Sequence, residues 1–345
     1  MPRYTISLVV IVMLTSACQS MSYYSQAIGG HLSLLSQRQQ IDKLLDDEQL
    51  ERNLRERLTL SQQILTFAEQ EMALPNKGSY RHFVRVNGRY VVWNVIAAPE
   101  FSVEAEQWCY PFAGCVTYRG YYAEQDASVF ARGLNKQGLD TTVAGASAYS
   151  TLGWLDDPLF SSMMYRDEAR LVEVMIHELA HQRLYISGNT VFNESFASVV
   201  AREGVRRWFK YKHAPKKYEE FLHSEKMEQI FNQLLMQTRG RLQWLYASTA
   251  TEEQKRSAKT EIFATMQAEY RALQSKGVFD GRYDNWMARP LNNANLALVA
   301  AYHQLEPELE LLLERQAGNM EQFYQQAAKY EDAAINNKIV ATSGK

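Results

Sequence analysis

The chain has 345 residues, with 37 Lys and Arg against 39 Asp and Glu for a formal net charge of −2. That balance excludes the strongly basic surface that non-specific nucleic-acid binding requires. Hydrophobic residues at 46% and charged residues at 22% fit a globular chain with a sizeable core, and three cysteines are too few for a disulfide scaffold.

Met1 to Ser20 reads as an export signal: Arg3 supplies the positive end, and the apolar run from Ile6 to Leu14 is too short to span a bilayer. The run ends in Leu14-Thr15-Ser16-Ala17-Cys18. Small residues before a cysteine resemble the lipobox of bacterial lipoproteins. This implies that residues 1–17 are a removed signal peptide and that Cys18 carries the lipid; a plain secretory signal cleaved near Ala17 is the alternative. Gln19, not aspartate, follows the cysteine, which by the same resemblance implies an outer-membrane anchor facing the periplasm.

Residues 18–78 form a helical N-terminal segment, with helical apolar spacing from Ser25 to about Leu74 that Pro75 and Gly78 end. Tyr80–Val86 and Tyr90–Ala97 alternate around Asn87-Gly88, which predicts a β-hairpin. Cys109 and Cys115 stand six apart across a Pro and Gly turn, and in an oxidising compartment they predict a disulfide; a metal pair lacks the second pair of ligands it needs. Further strands are expected over Val116–Tyr121 and Thr141–Tyr149, with a helix over Ala123–Gln137 between them. After Pro158 the pattern is helical. Thr251 with Gln254 predicts a capping box between two long amphipathic helices, whose stripes are read as core faces.

The chemistry concentrates on the helix expected over about Asp167–Leu184, which carries Ile176-His177-Glu178-Leu179-Ala180-His181. Histidines four apart lie one above the other on a helical face, so both imidazoles reach one metal ion. Glu178 projects beside them and reaches a water on that metal as a general base. Leu171, Val172, Met175, Ile176, Leu179 and Ala180 make this helix apolar nearly all round, and buried histidines there are costly unless paired. Ser187-Gly188-Asn189-Thr190 reads as a helix stop followed by a helix start. Helices ending near Leu184 and restarting near Val191 bring His181 and Glu194 to the same depth. Glu194 is therefore the expected third ligand of one Zn2+, and Ala197, one turn on, lets the two helices approach closely.

His177-Glu178-x-x-His181 with Asn193-Glu194-x-x-Ala197 resembles the glutamate-zincin peptidases. Together with Tyr23-Tyr24-Ser25-Gln26-Ala27, Trp108-Cys109, Gly114-Cys115, Ala148-Tyr149-Ser150-Thr151-Leu152-Gly153-Trp154 and Leu291-Asn292-Asn293-Ala294, it is similar to a bacterial family of predicted zinc aminopeptidases that are exported lipoproteins. The resemblance implies zinc-dependent cleavage of peptide substrates in the periplasm. Only 12 residues separate His181 from Glu194, fewer than in thermolysin-like enzymes, and Ser198 stands where those enzymes carry an aspartate that orients the first histidine. Ser198, Asn193 and a backbone carbonyl are the candidates for that role.

The expected fold is α+β and zincin-like: a small, mainly antiparallel sheet packed on the motif helix within a catalytic core over residues 79–210. A helical subdomain follows over 211–335, then a disordered tail over 336–345. Tyr149 and Tyr302 are candidate oxyanion donors, and Val143–Tyr149 is a candidate edge strand over the cleft. Glu173, Asp156 and Asp157 are candidate holders of a substrate amine. The same zinc core could serve an endopeptidase or a cell-wall peptide hydrolase, and a binding or assembly lipoprotein without catalysis is the reading from another class.

Overall fold

The computed structural model describes residues 23–75, 78–110, 114–151, 155–297 and 305–330. The expected signal peptide over 1–17, Cys18, Tyr302 and the tail expected over 336–345 lie outside the described residues. The architecture is α+β and predominantly helical, with three small sheets among the described residues, two of three strands and one of two.

The N-terminal segment folds as helix α1 over 23–36, then α2 (Ile41–Asp46) and α3 (Arg52–Met72). A two-residue strand β1 (Gln39–Gln40) interrupts the expected all-helical run by pairing with β2 (His82–Val84). Ala73, in the left-handed region at φ 50°, ends α3 ahead of Pro75.

The hairpin expected at Asn87-Gly88 does not form. Gly88 does adopt a turn conformation at φ +94°. The flanking strands, however, part into different sheets: β2 pairs in parallel with β8 (Leu159–Phe160), while β3 (Val92–Pro99) pairs with β6 (Arg119–Tyr121) and β7 (Leu139–Ala146). Phe83, Val84, Leu159 and Phe160 are all fully buried. That core contact, secured by hydrogen bonds between Ser161 and the Val86 backbone, outweighs the local turn preference.

β3 is the centre of an antiparallel sheet whose two faces do different work. Val95, Tyr121 and Val143 face α4 (Glu124–Asn135) in a small cluster with Ala127 and Ala131. Val92, Asn94 and Gly120 on the other face line a cleft, and α5 (Glu168–Arg183) lies across it. β4 (Trp108–Tyr110) and β5 (Gly114–Val116) form a ribbon closed by a Cys109–Cys115 disulfide.

The largest apolar cluster joins α2, α3, β2, β8, α5 and α6 (Thr190–Tyr211) to the late helices α10 (Glu306–Arg315) and α11 (Met320–Ala327). A second cluster holds the antiparallel pair α7 (Pro215–Ala247) and α8 (Glu252–Ser275) with Phe279, the short helix α9 (Asp284–Met287) and Leu296. The Thr251–Gln254 capping box at the start of α8 is present. Among the described residues, no helix is long and apolar enough to cross a membrane.

Candidate metal centre and cleft

α5 starts at Asp167, whose side chain accepts a hydrogen bond from the Arg170 N–H at 2.8 Å and satisfies one of the helix's free donors. Its apolar residues Leu171, Val172, Met175, Ile176 and Leu179 are fully buried, so the one rotation of the helix that hides them turns His177, Glu178 and His181 toward the cleft. α5 stops at Arg183. α6 begins after Asn189, which accepts from the Phe192 N–H at 3.1 Å, and Gly188 makes the reversal at φ +76°. Both ends fall within a residue or two of the expected breaks.

The short connection is pinned from inside. Asn193, 1% exposed, accepts from the Ile186 N–H and donates to the Ile186 carbonyl, both at 2.8 Å. Asn193 therefore holds the loop, not the first histidine. Further along, Gly204 of α6 meets Ile176 of α5 so closely that an added Cβ would lie 2.3 Å from its Cδ1. Ala197 is fully buried in the same helix.

This packing brings three ligand groups together. The Nε2 atoms of His177 and His181 are 3.2 Å apart, and Oε2 of Glu194 lies 3.4 Å from the first and 3.9 Å from the second. The three residues form the described cluster of His, Cys, Asp or Glu able to hold a metal ion, with all ligand atoms within 4.8 Å of one another. Tetrahedral zinc with bonds of about 2.0–2.1 Å sets its ligand atoms about 3.3–3.4 Å apart. The donor set and spacing fit that ion. Two imidazole nitrogens facing each other and a carboxylate also call for a cation or a proton between them.

The charges respond to this crowding. Burial pushes the Glu178 carboxyl up, helped by Glu194 and Asp157 and opposed by His177, to about 7. Burial drives His181 down to about 4. On His177 burial acts downward, but the hydrogen bond and charge of Glu194 win and its pKa rises. Burial likewise raises Glu194, and the His177 hydrogen bond with the two histidine charges brings it below the usual carboxylate value.

The cleft over these residues has a volume of about 900 Å³. Glu178 and Ser198 line it, as do Gly145 to Ser150 at the end of β7, Tyr118, Tyr185 and Asn94. The Thr141–Tyr149 strand ends at Ala146, and β7 is the edge of its sheet. Asn292 and Asn295 cover the start of that edge by bonding Thr141 and Thr142, so only its far end meets the cleft. Tyr149 is taken up by a 2.8 Å bond to His31 Nδ1 and by packing on Phe160, a structural arrangement for a residue considered as an oxyanion donor.

Of the candidate amine-holding carboxylates, only Glu173 lines the cleft, paired with Arg170 at 2.7 Å. Asp157 is 1% exposed and ties Ser150, the Thr151 N–H and Gln182 together, locking the segment after β7 onto the motif helix. Asp156 is exposed outside the cleft.

The sequence reading missed the opposite wall. Glu225 and Glu228 of α7 reach Arg170 of α5, each at 3.0 Å, and Glu306 pairs with Arg202 at 3.0 Å. With Glu173, Glu178 and Glu194 they make six carboxylates in the lining against four guanidinium groups, Arg166, Arg170, Arg202 and Arg282. Tyr185 was also missed, although its i+4 spacing from His181 was visible; its ring packs edge-on to the His181 ring with centroids 6.3 Å apart.

No curated protein and no solved structure matches the chain. A family model described as "Putative aminopeptidase" does match, over residues 22–339. That span takes in the candidate metal cluster, both cleft walls and the described sheets, and the chain belongs to this putative aminopeptidase family.

Proposed function

We propose that the protein is a zinc-dependent aminopeptidase of the bacterial cell envelope, exported by its signal peptide and held at the outer membrane, facing the periplasm, by lipid on Cys18. The observation that carries the reading is the convergence of His177, His181 and Glu194 within 4.8 Å on two helices, with Glu178 beside them in the cleft. When bound, zinc supplies a Lewis acid that polarises a carbonyl and acidifies water.

The chain's own residues do the rest. Glu178 accepts the proton of the attacking water and returns it to the leaving amine, the role of the glutamate between the two histidines of such a motif. Val92, Asn94 and the far end of β7 form the wall along which an extended peptide lies. The preference for a free N-terminus is supported by the description of the matching family as a putative aminopeptidase.

The test is metal analysis of the purified protein with turnover of a peptide library, in free-amine and N-acetylated forms. One zinc per chain is expected. Glu178→Gln should keep the metal and lower kcat by about 10²-fold or more, the low end for loss of a positioned base. Cleavage of acetylated peptides as readily as of free-amine ones, at internal bonds, would replace the exopeptidase with an endopeptidase, and His177→Ala with His181→Ala leaving zinc content unchanged would refute the ligand assignment.

A further inference from the structure

Helix α1 (23–36) has two faces of unlike chemistry. Its inner face is tied down: Gln26 bonds the Gly120 carbonyl and the Tyr122 N–H, each at 3.4 Å, Gly30 leaves no room for a Cβ against the Tyr122 ring, and His31 bonds Tyr149. Leu34 packs on the main core. The outer face presents Tyr24, Ile28 and Leu32 at i, i+4 and i+8, exposed by 40%, 59% and 57%. Ser25, Gly29 and Ser33 fill the space between them and are also exposed.

No Lys, Arg, Asp or Glu occurs between Arg3 and Arg38, in a chain that is 22% charged. The outer face of α1 thus carries no charged side chain to favour water, and the only polar side chains between its apolar residues are those of the small Ser25 and Ser33.

We propose that this face is a membrane-docking surface, seated at the headgroup–acyl boundary of a phospholipid bilayer. The proposal rests on acylation of Cys18, the anchor put forward above. Tyr24 follows Cys18 by six residues, so at about 3.3–3.6 Å per residue the helix begins within roughly 20 Å of the lipid whatever path the chain takes. An attached lipid holds the stripe at high local concentration against the bilayer, so weak insertion is enough. Ile28 and Leu32 enter the acyl boundary, and Tyr24, with an apolar ring and polar tip, sits at headgroup level.

The consequence reaches the site. Tyr23 and Ala27, on the inner face of the same helix, line the cleft. Docking α1 on the bilayer therefore sets the cleft mouth beside the membrane and turns the enzyme toward peptides presented there.

The experiment uses the full mature lipoprotein in vesicles of phosphatidylethanolamine and phosphatidylglycerol. Nitroxide is attached at Ile28→Cys or Leu32→Cys, with Lys276→Cys, exposed at the end of α8, as the reference. All three sites are exposed, so folding is preserved, and the native Cys109–Cys115 pair stays oxidised. The ratio of collision with oxygen to collision with a water-soluble nickel chelate should be at least fivefold higher at 28 and 32 than at 276.

Ratios equal to the reference in a protein whose acyl chain is present by mass spectrometry overturn the docking surface and leave the anchor standing. Labels immobilised and shielded from both reagents also overturn it, in favour of a second copy or another protein on this face. A mature N-terminus without acyl chain overturns the anchor and the docking surface together, and leaves the metal centre untouched.

Discussion

Replacing Asn193 by Ala tests whether the connection between α5 and α6 is held by one side chain. Asn193 and Ile186 are 1% and 4% exposed, and two 2.8 Å bonds join the amide to both backbone groups of Ile186. The substitution leaves the Ile186 N–H buried without its partner, at about 1–3 kcal/mol. The Ile186 carbonyl keeps a bond from the Asn189 N–H at 3.1 Å, so its loss is smaller, roughly 0.5–1 kcal/mol. The expected cost is therefore about 1.5–4 kcal/mol, read from urea unfolding followed by near-ultraviolet circular dichroism. Asn189→Ala is the comparison, because it removes one capping bond on the same loop and should cost about 1 kcal/mol. Zinc affinity should fall in parallel by about tenfold or more, as when the support of a ligand is lost. A cost for Asn193→Ala below about 1 kcal/mol, or no larger than that of Asn189→Ala, would refute the argument.

Three further outcomes follow from other regions. Burial, and then the charge of Glu173, pushes Glu225 up to about 7 from 4.5, so the folded state holds this proton more tightly than the unfolded chain and stability falls as pH rises between those values. Glu225→Gln mimics the protonated form: its denaturation midpoint should match the wild type near pH 4.5 and exceed it near pH 8, by up to roughly 3 kcal/mol in unfolding free energy. An equal difference at both pH values would show that the carboxyl is not destabilised by its surroundings. Reducing the Cys109–Cys115 bond, with its sequence separation of 6, should cost about 2 kcal/mol by loop entropy, seen as a lower urea midpoint with dithiothreitol and absent in a Cys109→Ser, Cys115→Ser protein. Gly204→Val places atoms where Ile176 Cδ1 lies 2.3 Å from an ideal Cβ, and should destabilise the α5–α6 pair by about 1–3 kcal/mol; a neutral result would mean that the helices are free to part.

The convergence of His177, His181 and Glu194 was legible because its determinants are local. His177 and His181 are one turn apart on a helix whose phase is fixed by apolar neighbours, and Gly188 and Asn189 mark the break before Glu194 in the chain itself. The capping box at Thr251 belongs to the same class of short-range signal. Asn87-Gly88 is a strong local signal that tertiary pairing overrode: β2 found β8 some 75 residues away, and β3 found β6 and β7. Glu225 and Glu228 look in sequence like the solvated side of α7, and only the placement of α7 opposite Arg170 makes them a cleft wall. Tyr149 drew notice in the sequence as a candidate oxyanion donor, and its pairing with His31, 118 residues earlier, was not legible.

Only 12 residues separate His181 from Glu194. In the structure this short connection brings α6 straight back along α5, and two contacts, one at the loop and one between the helix bodies, then set the geometry of the candidate ligands. Asn193 fixes the register of the helices next to the loop, while the missing side chain of Gly204, eleven residues further along α6, sets their separation against Ile176. Register without close approach would leave Glu194 out of reach of the imidazoles, and close approach with a slipped register would turn it away from them. Because both contacts lie within the apolar core and neither involves a ligand, the 3.2–3.9 Å spacing of the ligand atoms is a property of the helix packing itself. A cation entering this centre therefore does not have to organise it.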